Sequence, residues 1–158
     1  MSLINKKLIS VIRAQFRLDW YGIHGAPHWE RVRANGLRLA AETGANSRVV
    51  EYFAFLHDTQ RHSDGRDPDH GSRAADFAAT LIGECVELTA SELVLLQEAC
   101  RGHSEGRTEA DVTVMTCWDA DRLDLGRVGI IPDPNRLCTA AARDITTMEW
   151  AFARSLRD

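Results

Sequence analysis

Excess positive charge, long apolar runs, paired cysteines and strand-like alternation are all missing from this sequence. Each absence removes a class of protein. Lysine and arginine number 19 against 23 acids, a formal net charge of -4. No basic field is present for a phosphate backbone to feel, so no nucleic-acid partner is expected. No stretch approaches the roughly 18 uninterrupted apolar residues of a membrane span. The segment "MSLINKKLISVI" breaks its apolar positions with polar ones and offers no small-residue cleavage site, so neither a membrane association nor a secretory leader is expected. The four cysteines, Cys85, Cys100, Cys117 and Cys138, lie 15 to 21 positions apart with no C-x-x-C pair. Set among apolar neighbours, they read as buried, reduced thiols of a cytoplasmic protein rather than as disulfides or a thiolate metal site.

What is present is helical spacing, from end to end. The 158 residues suit one domain with one core, since domains most often run to roughly 100–150 residues. Leu8, Ile9, Ile12 and Phe16 form the stripe of a first helix. Pro27 marks the start of a second, which closes at Gly44, and Asn46 or Ser47 caps a third that runs to His57-Asp58. Asp67-Pro68 predicts a fourth ending near Gly83, and "TASE" at 89–92 is a capping box for a fifth ending near Gly102. Thr108 opens a sixth through Trp118 to Leu125, and Asp133-Pro134 a last one carrying Leu137, Ala141, Met148 and Phe152 on one side. The expectation is a single-domain, all-α bundle of six to seven helices.

Polar residues on these helices fall where apolar ones belong. At about 100° per residue, positions i, i+4, i+7 and i+11 stay within roughly 40° of one another. His28 shares such a row with Val32 and Leu39, interrupted by Asn35. His70 shares one with Ala74, Phe77 and Leu81, and His103 follows Leu96 and Ala99. Asp121 continues Val114 and Trp118, whereas Asp119 points away from that row. His57, beside Phe53 on its stripe, is followed at once by Asp58. A single core-facing histidine is usually a hydrogen-bonded packing residue. A core-facing carboxylate without a partner costs several kcal/mol. Several imidazoles and two carboxylates converging on one point suit a first-row divalent cation.

With His28, then His57-Asp58, then Asp121 on a helical chain, the sequence resembles the HD superfamily of metal-dependent phosphohydrolases. The segments that carry the likeness are "HGAPHWERV", "FAFLHDTQR" and "WDADRLDLG", and it covers about residues 20–130. The resemblance implies one HD-type domain over 1–158, with a motif-bearing core over about 20–130 and a C-terminal packing helix over about 134–157. It implies that His28, His57, Asp58 and Asp121 ligate one divalent ion, of Mn, Ni, Fe, Co, Zn or Mg. His70 and His103 then ligate a second ion, serve a single-ion site as phosphate contacts or proton donors, or are structural. Asp58 would orient the attacking water. Arg31, Arg61, Arg73 and Arg122 each flank a proposed ligand and are candidate contacts for substrate phosphate. His24 reads as loop or pocket rim, and His62 as solvated. The activity implied is hydrolysis of a small phosphate ester or anhydride, a nucleotide among the candidates. Two other readings stay open: a di-iron oxygenase of HD type, which needs both His70 and His103 as ligands, and a non-catalytic metal-binding or sensor module.

Overall fold

Local capping chemistry decides where most helices begin. In the computed structural model, which describes residues 3–157, Asn5 accepts from Leu8 N and opens α1 (Lys6–Gln15). Pro27 stands in the first turn of α2 (Ala26–Thr43), where a missing N–H costs nothing. Gly44 ends that helix in the left-handed region at φ 77°, which glycine adopts without strain. Asn46 accepts from Arg48 N and Val49 N to start α3 (Ser47–Leu56). Thr89 and Glu92 form the reciprocal capping box of α5 (Ala90–Gly102).

Three boundaries differ from the sequence reading, each for a visible reason. The fourth helix, α4 (His70–Thr80), begins after Asp67-Pro68 because the Asp67 carboxylate is engaged elsewhere: it accepts from His62 N and from Arg73. The sixth, α6 (Val112–Arg122), begins after Thr108 because Asp111, not Thr108, accepts the free N–H of Thr113. The expected C-terminal helix is broken into a 3-10 turn at Pro134–Arg136, a short α7 (Ala140–Arg143) and α8 (Ile145–Ser155). Thr139 caps α7 and Asp144 caps α8, and buried Asp119 pins the break by accepting from Cys138 N at 2.7 Å and Thr139 N at 2.9 Å.

The architecture is all-α. Among the described residues there are eight α-helices and two short 3-10 turns, with one isolated bridge between Ile82 and Val86. The middle rod is α3, with Val49, Val50, Tyr52, Phe53, Ala54, Phe55 and Leu56 all buried, as expected of a helix surrounded by others. It packs against α2, α5 and α6, while α4 lies along α5 and α8 closes over α2. Two glycines permit close approaches between helices. A Cβ at Gly36 would stand 2.3 Å from Val50 Cγ1, and one at Gly71 2.3 Å from the carbonyl oxygen of Cys100. Trp29 and Trp118 are fully buried in this core. The four cysteines are free thiols, three of them buried. No described helix is long and apolar enough to cross a membrane.

Candidate metal centre

The helix ends deliver six polar side chains to one buried point. His28 comes from the first turns of α2, His57-Asp58 from the end of α3 and His70 from the start of α4. His103 caps the end of α5, and Asp121 lies in the last turn of α6. All but Asp121 are buried, and the Asp121 side chain keeps 15% exposure.

Four donor atoms form a first group. His28 Nε2 lies 3.2 Å from His57 Nε2, 3.2 Å from Asp121 Oδ1 and 3.5 Å from Asp58 Oδ2. His57 Nε2 lies 3.4 Å from Asp58 Oδ2 and 3.5 Å from Asp121 Oδ1. Atoms bound about 2.0–2.2 Å from one ion stand roughly 2.8–3.6 Å from each other at octahedral to tetrahedral angles. The spacing fits. The other oxygen of Asp58 belongs to a second group: Oδ1 lies 3.2 Å from His70 Nε2 and 3.5 Å from His103 Nε2, which are 2.8 Å apart. One carboxylate thus joins two donor sets.

Hydrogen bonds on the far edge of each ring settle its tautomer. His57 Nδ1 faces the carbonyls of Phe53 and Ala54, at 3.0 and 3.1 Å. His70 Nδ1 faces Asp67 O at 2.5 Å and His103 Nδ1 faces Cys100 O at 2.7 Å. His28 Nδ1 faces the Asp124 carboxylate at 2.6 Å. These partners only accept, so each Nδ1 carries the proton and each Nε2 presents a lone pair inward. Lone pairs facing each other at 2.8 and 3.2 Å repel unless a proton or a metal cation lies between them. Imidazole nitrogen with carboxylate oxygen is the donor chemistry of a first-row divalent ion. These residues fit a metal.

Electrostatics point the same way. Burial works against charge on His57, and Asp58 and Asp121 overcome it, raising its pKa to about 10. Burial likewise opposes charge on His28, and hydrogen bonds to Asp121, Asp124 and Asp58 lift it above its ordinary value. Asp58 and Asp121 are held well below the usual carboxylate range despite burial, chiefly by His57. The cluster is built to hold positive charge, and a bound ion would replace the proton that supplies it.

The residues predicted as phosphate contacts fare unevenly. Arg61 stays beside the donors, its Nε 3.4 Å from Asp58 Oδ1 and without a hydrogen-bond partner. Arg31 turns to Asp124 at 2.8 Å, Arg73 binds Asp67 at 2.7 Å, and Arg122 donates to Arg136 O at 2.9 Å. His24 is buried and bonded to Asp64 at 2.7 Å, its pKa lowered by burial against the pull of Asp58 and Asp64. His62 is exposed. Asp119, set aside on helical phase, holds the C-terminal break rather than the centre, and burial pushes its carboxyl up. Asp124 is the residue that sequence reasoning missed. It is fully buried, bonds His28 and collects Arg31. Its one signal was its place three residues after Asp121, one helical turn onward.

Fold and site together define an all-helical domain with two buried His/Asp groups able to hold metal, His28-His57-Asp58 and Asp58-His70-His103. No family model and no curated protein sequence matches the chain. A solved structure does: a predicted HD superfamily hydrolase from an uncultured Thermotogales bacterium, at 25% identity and a TM-score of 0.72, covering 95% of this chain and 86% of that one. The resemblance to the HD superfamily is borne out, as is the all-α, single-domain fold.

Proposed function

We propose that the protein is a metal-dependent phosphohydrolase of HD type that cleaves a small phosphate ester or anhydride. The observation that carries this reading is Asp58, whose two oxygens each belong to a separate set of inward-facing donors. The likeness to a protein described as a predicted hydrolase supports the reaction class. His28, His57, Asp58 and Asp121 would hold one divalent ion, and His70 and His103, with Asp58, a second. A bound divalent ion supplies Lewis acidity, lowering the pKa of water towards neutrality and stabilising charge on a phosphoryl oxygen.

The chain itself provides position and charge. Backbone carbonyls lock His57, His70 and His103 as Nδ1–H tautomers, so no ring needs to reorient during turnover. Asp58 orients the nucleophilic water while its own charge is held by Arg61. In this reading Arg61, whose Nη1 donates to Ser63 O and Gly65 O while its Nε has no hydrogen-bond partner, also serves a phosphate oxygen. The buried walls exclude bulk water, which strengthens each of these interactions. Mn- or Ni-loaded protein should turn over at least one member of a panel of nucleotides and sugar phosphates, and Asp58→Ala should abolish that turnover. A fully loaded protein inert towards the whole panel would reject the reading.

One observation favours a second reading. His70 and His103 both belong to the donor cluster, 2.8 Å apart, which is what a di-iron oxygenase of HD type requires. Natively bound iron near two per chain, with O2 consumption, would select it. Metal bound with neither activity would select a non-catalytic sensor or metal-binding module.

A further inference from the structure

Behind His28, on the side opposite Nε2, the chain gathers guanidinium groups around open space. A cavity of about 540 Å³ is lined by Tyr21, Ile23, Arg31, Arg127, Leu156 and Arg157, among others. A smaller one of about 260 Å³ shares Pro27, Arg31 and Arg157 with it and adds Glu30 and Arg154. The wall between cavity and metal donors is built from two fully buried residues. Arg31 Nε donates to Asp124 at 2.8 Å, Arg127 Nη1 stands 3.9 Å from the same carboxylate, and Asp124 accepts from His28 Nδ1.

Among the described residues, charge lining the larger cavity is one-sided: three arginines line it and no carboxylate does, while Glu30 joins the smaller one. Asp124 offsets part of their charge from behind, but it has no exposed surface to offer a ligand. Arg157 makes no side-chain ion pair with any described residue. Arg154 rests 5.0 Å from the Trp150 ring centroid, with its Nε buried and without a partner. Gathered cations repel one another, and an anion with oxygens for several guanidinium forks relieves that repulsion. The rim is apolar, with Tyr21 72%, Ile23 40% and Leu156 61% exposed, so the anion's body need not be polar.

We propose that this cavity binds a small organic anion, its phosphate- or carboxylate-type head among Arg31, Arg127 and Arg157 and its apolar body against Tyr21, Ile23 and Leu156. The site is distinct from the metal donors and does not depend on the hydrolase reading.

Phenylphosphonate is a suitable probe, with an anionic head, an aromatic body and no ester to hydrolyse. Calorimetric titration of the metal-loaded chain should show a binding event that survives in His57→Ala. Arg157→Glu should weaken that event at least tenfold, with helical content and metal content as in the parent, and the milder Arg157→Gln should move it the same way. Neutral benzyl alcohol should bind at least tenfold more weakly than phenylphosphonate. The proposal is overturned by no binding at millimolar probe, or by affinity unchanged in both Arg157 variants. It is equally overturned by an event lost in His57→Ala, which would place the anion on the metal, or by equal affinity for benzyl alcohol.

Discussion

Each of the four central imidazoles is held by its outer edge, and only one of them by a carboxylate. His28 leans on Asp124, whereas His57, His70 and His103 lean on backbone carbonyls. A carboxylate behind a ligating histidine fixes the ring and raises its basicity, and losing such a partner typically costs 10–100-fold in metal affinity. Asp124→Asn should therefore weaken metal binding by roughly that factor, measured by competition with a chromogenic chelator, while the helical content stays unchanged. Affinity equal to the parent would remove Asp124 from the centre's machinery. At this scale the sequence was legible where helical phase decides direction. It preferred Asp121 to Asp119, and the structure puts Asp121 3.2 Å from His28 Nε2 and Asp119 against Thr139. It was illegible for the arginines. Spacing puts a guanidinium near a ligand, but a long flexible side chain turns to whichever acceptor is nearest. Asp124, Asp67 and the Arg136 carbonyl took three of the four.

Between elements, the closest contact that matters to the centre is α4 on α5. Gly71 follows His70 directly, and a Cβ there would stand 2.3 Å from Cys100 O and 3.3 Å from His103 Nδ1. The first clash is with backbone, so the helices must part. Gly71→Ala should destabilise the fold by about 1–3 kcal/mol, the usual cost of overpacking. It should also draw His70 away from His103, so that elemental analysis shows loss of the second ion and retention of the first. Two ions retained would mean that α4 can shift without moving its histidine. Capping supplies a second test between elements. Glu92 accepts from Thr89 N at 2.9 Å and Asn46 Nδ2 at 2.8 Å, and these bonds lower its pKa from the ordinary 4.5. A lowered carboxylate pKa contributes stability present above the unfolded value and lost as pH falls through the folded one. Glu92→Gln keeps the capping pattern without the charge, so it should cost roughly 0.3–1 kcal/mol at pH 7. Urea unfolding should show that difference closing below about pH 4; a gap constant with pH would assign the effect to packing. The capping box was readable because its chemistry is local. The C-terminal break was not, since it depends on Asp119, some 20 residues away in sequence, taking the Thr139 N–H.

For the molecule as a whole, the centre is a junction. Its donors come from α2, α3, α4, α5 and α6, so an ion there ties together five rods that otherwise meet only through apolar side chains and a few polar bonds. Those donors are brought together by folding alone, and an ion that binds the folded chain and not the unfolded one stabilises it by mass action. At a hundredfold excess over its dissociation constant one ion contributes about 2.7 kcal/mol. A chain of 158 residues gains about 2–4 °C in Tm per kcal/mol. Adding Mn or Ni to chelated protein should then raise Tm by about 5–11 °C per ion bound. Asp58 serves both donor groups, so Asp58→Ala should flatten the response altogether. His70→Ala touches only the second group and should keep about half of a two-ion response, or all of a one-ion response. A Tm that rises equally in the parent and in Asp58→Ala would mean that the ion binds elsewhere, and the reading of this centre as a metal site would fall with it.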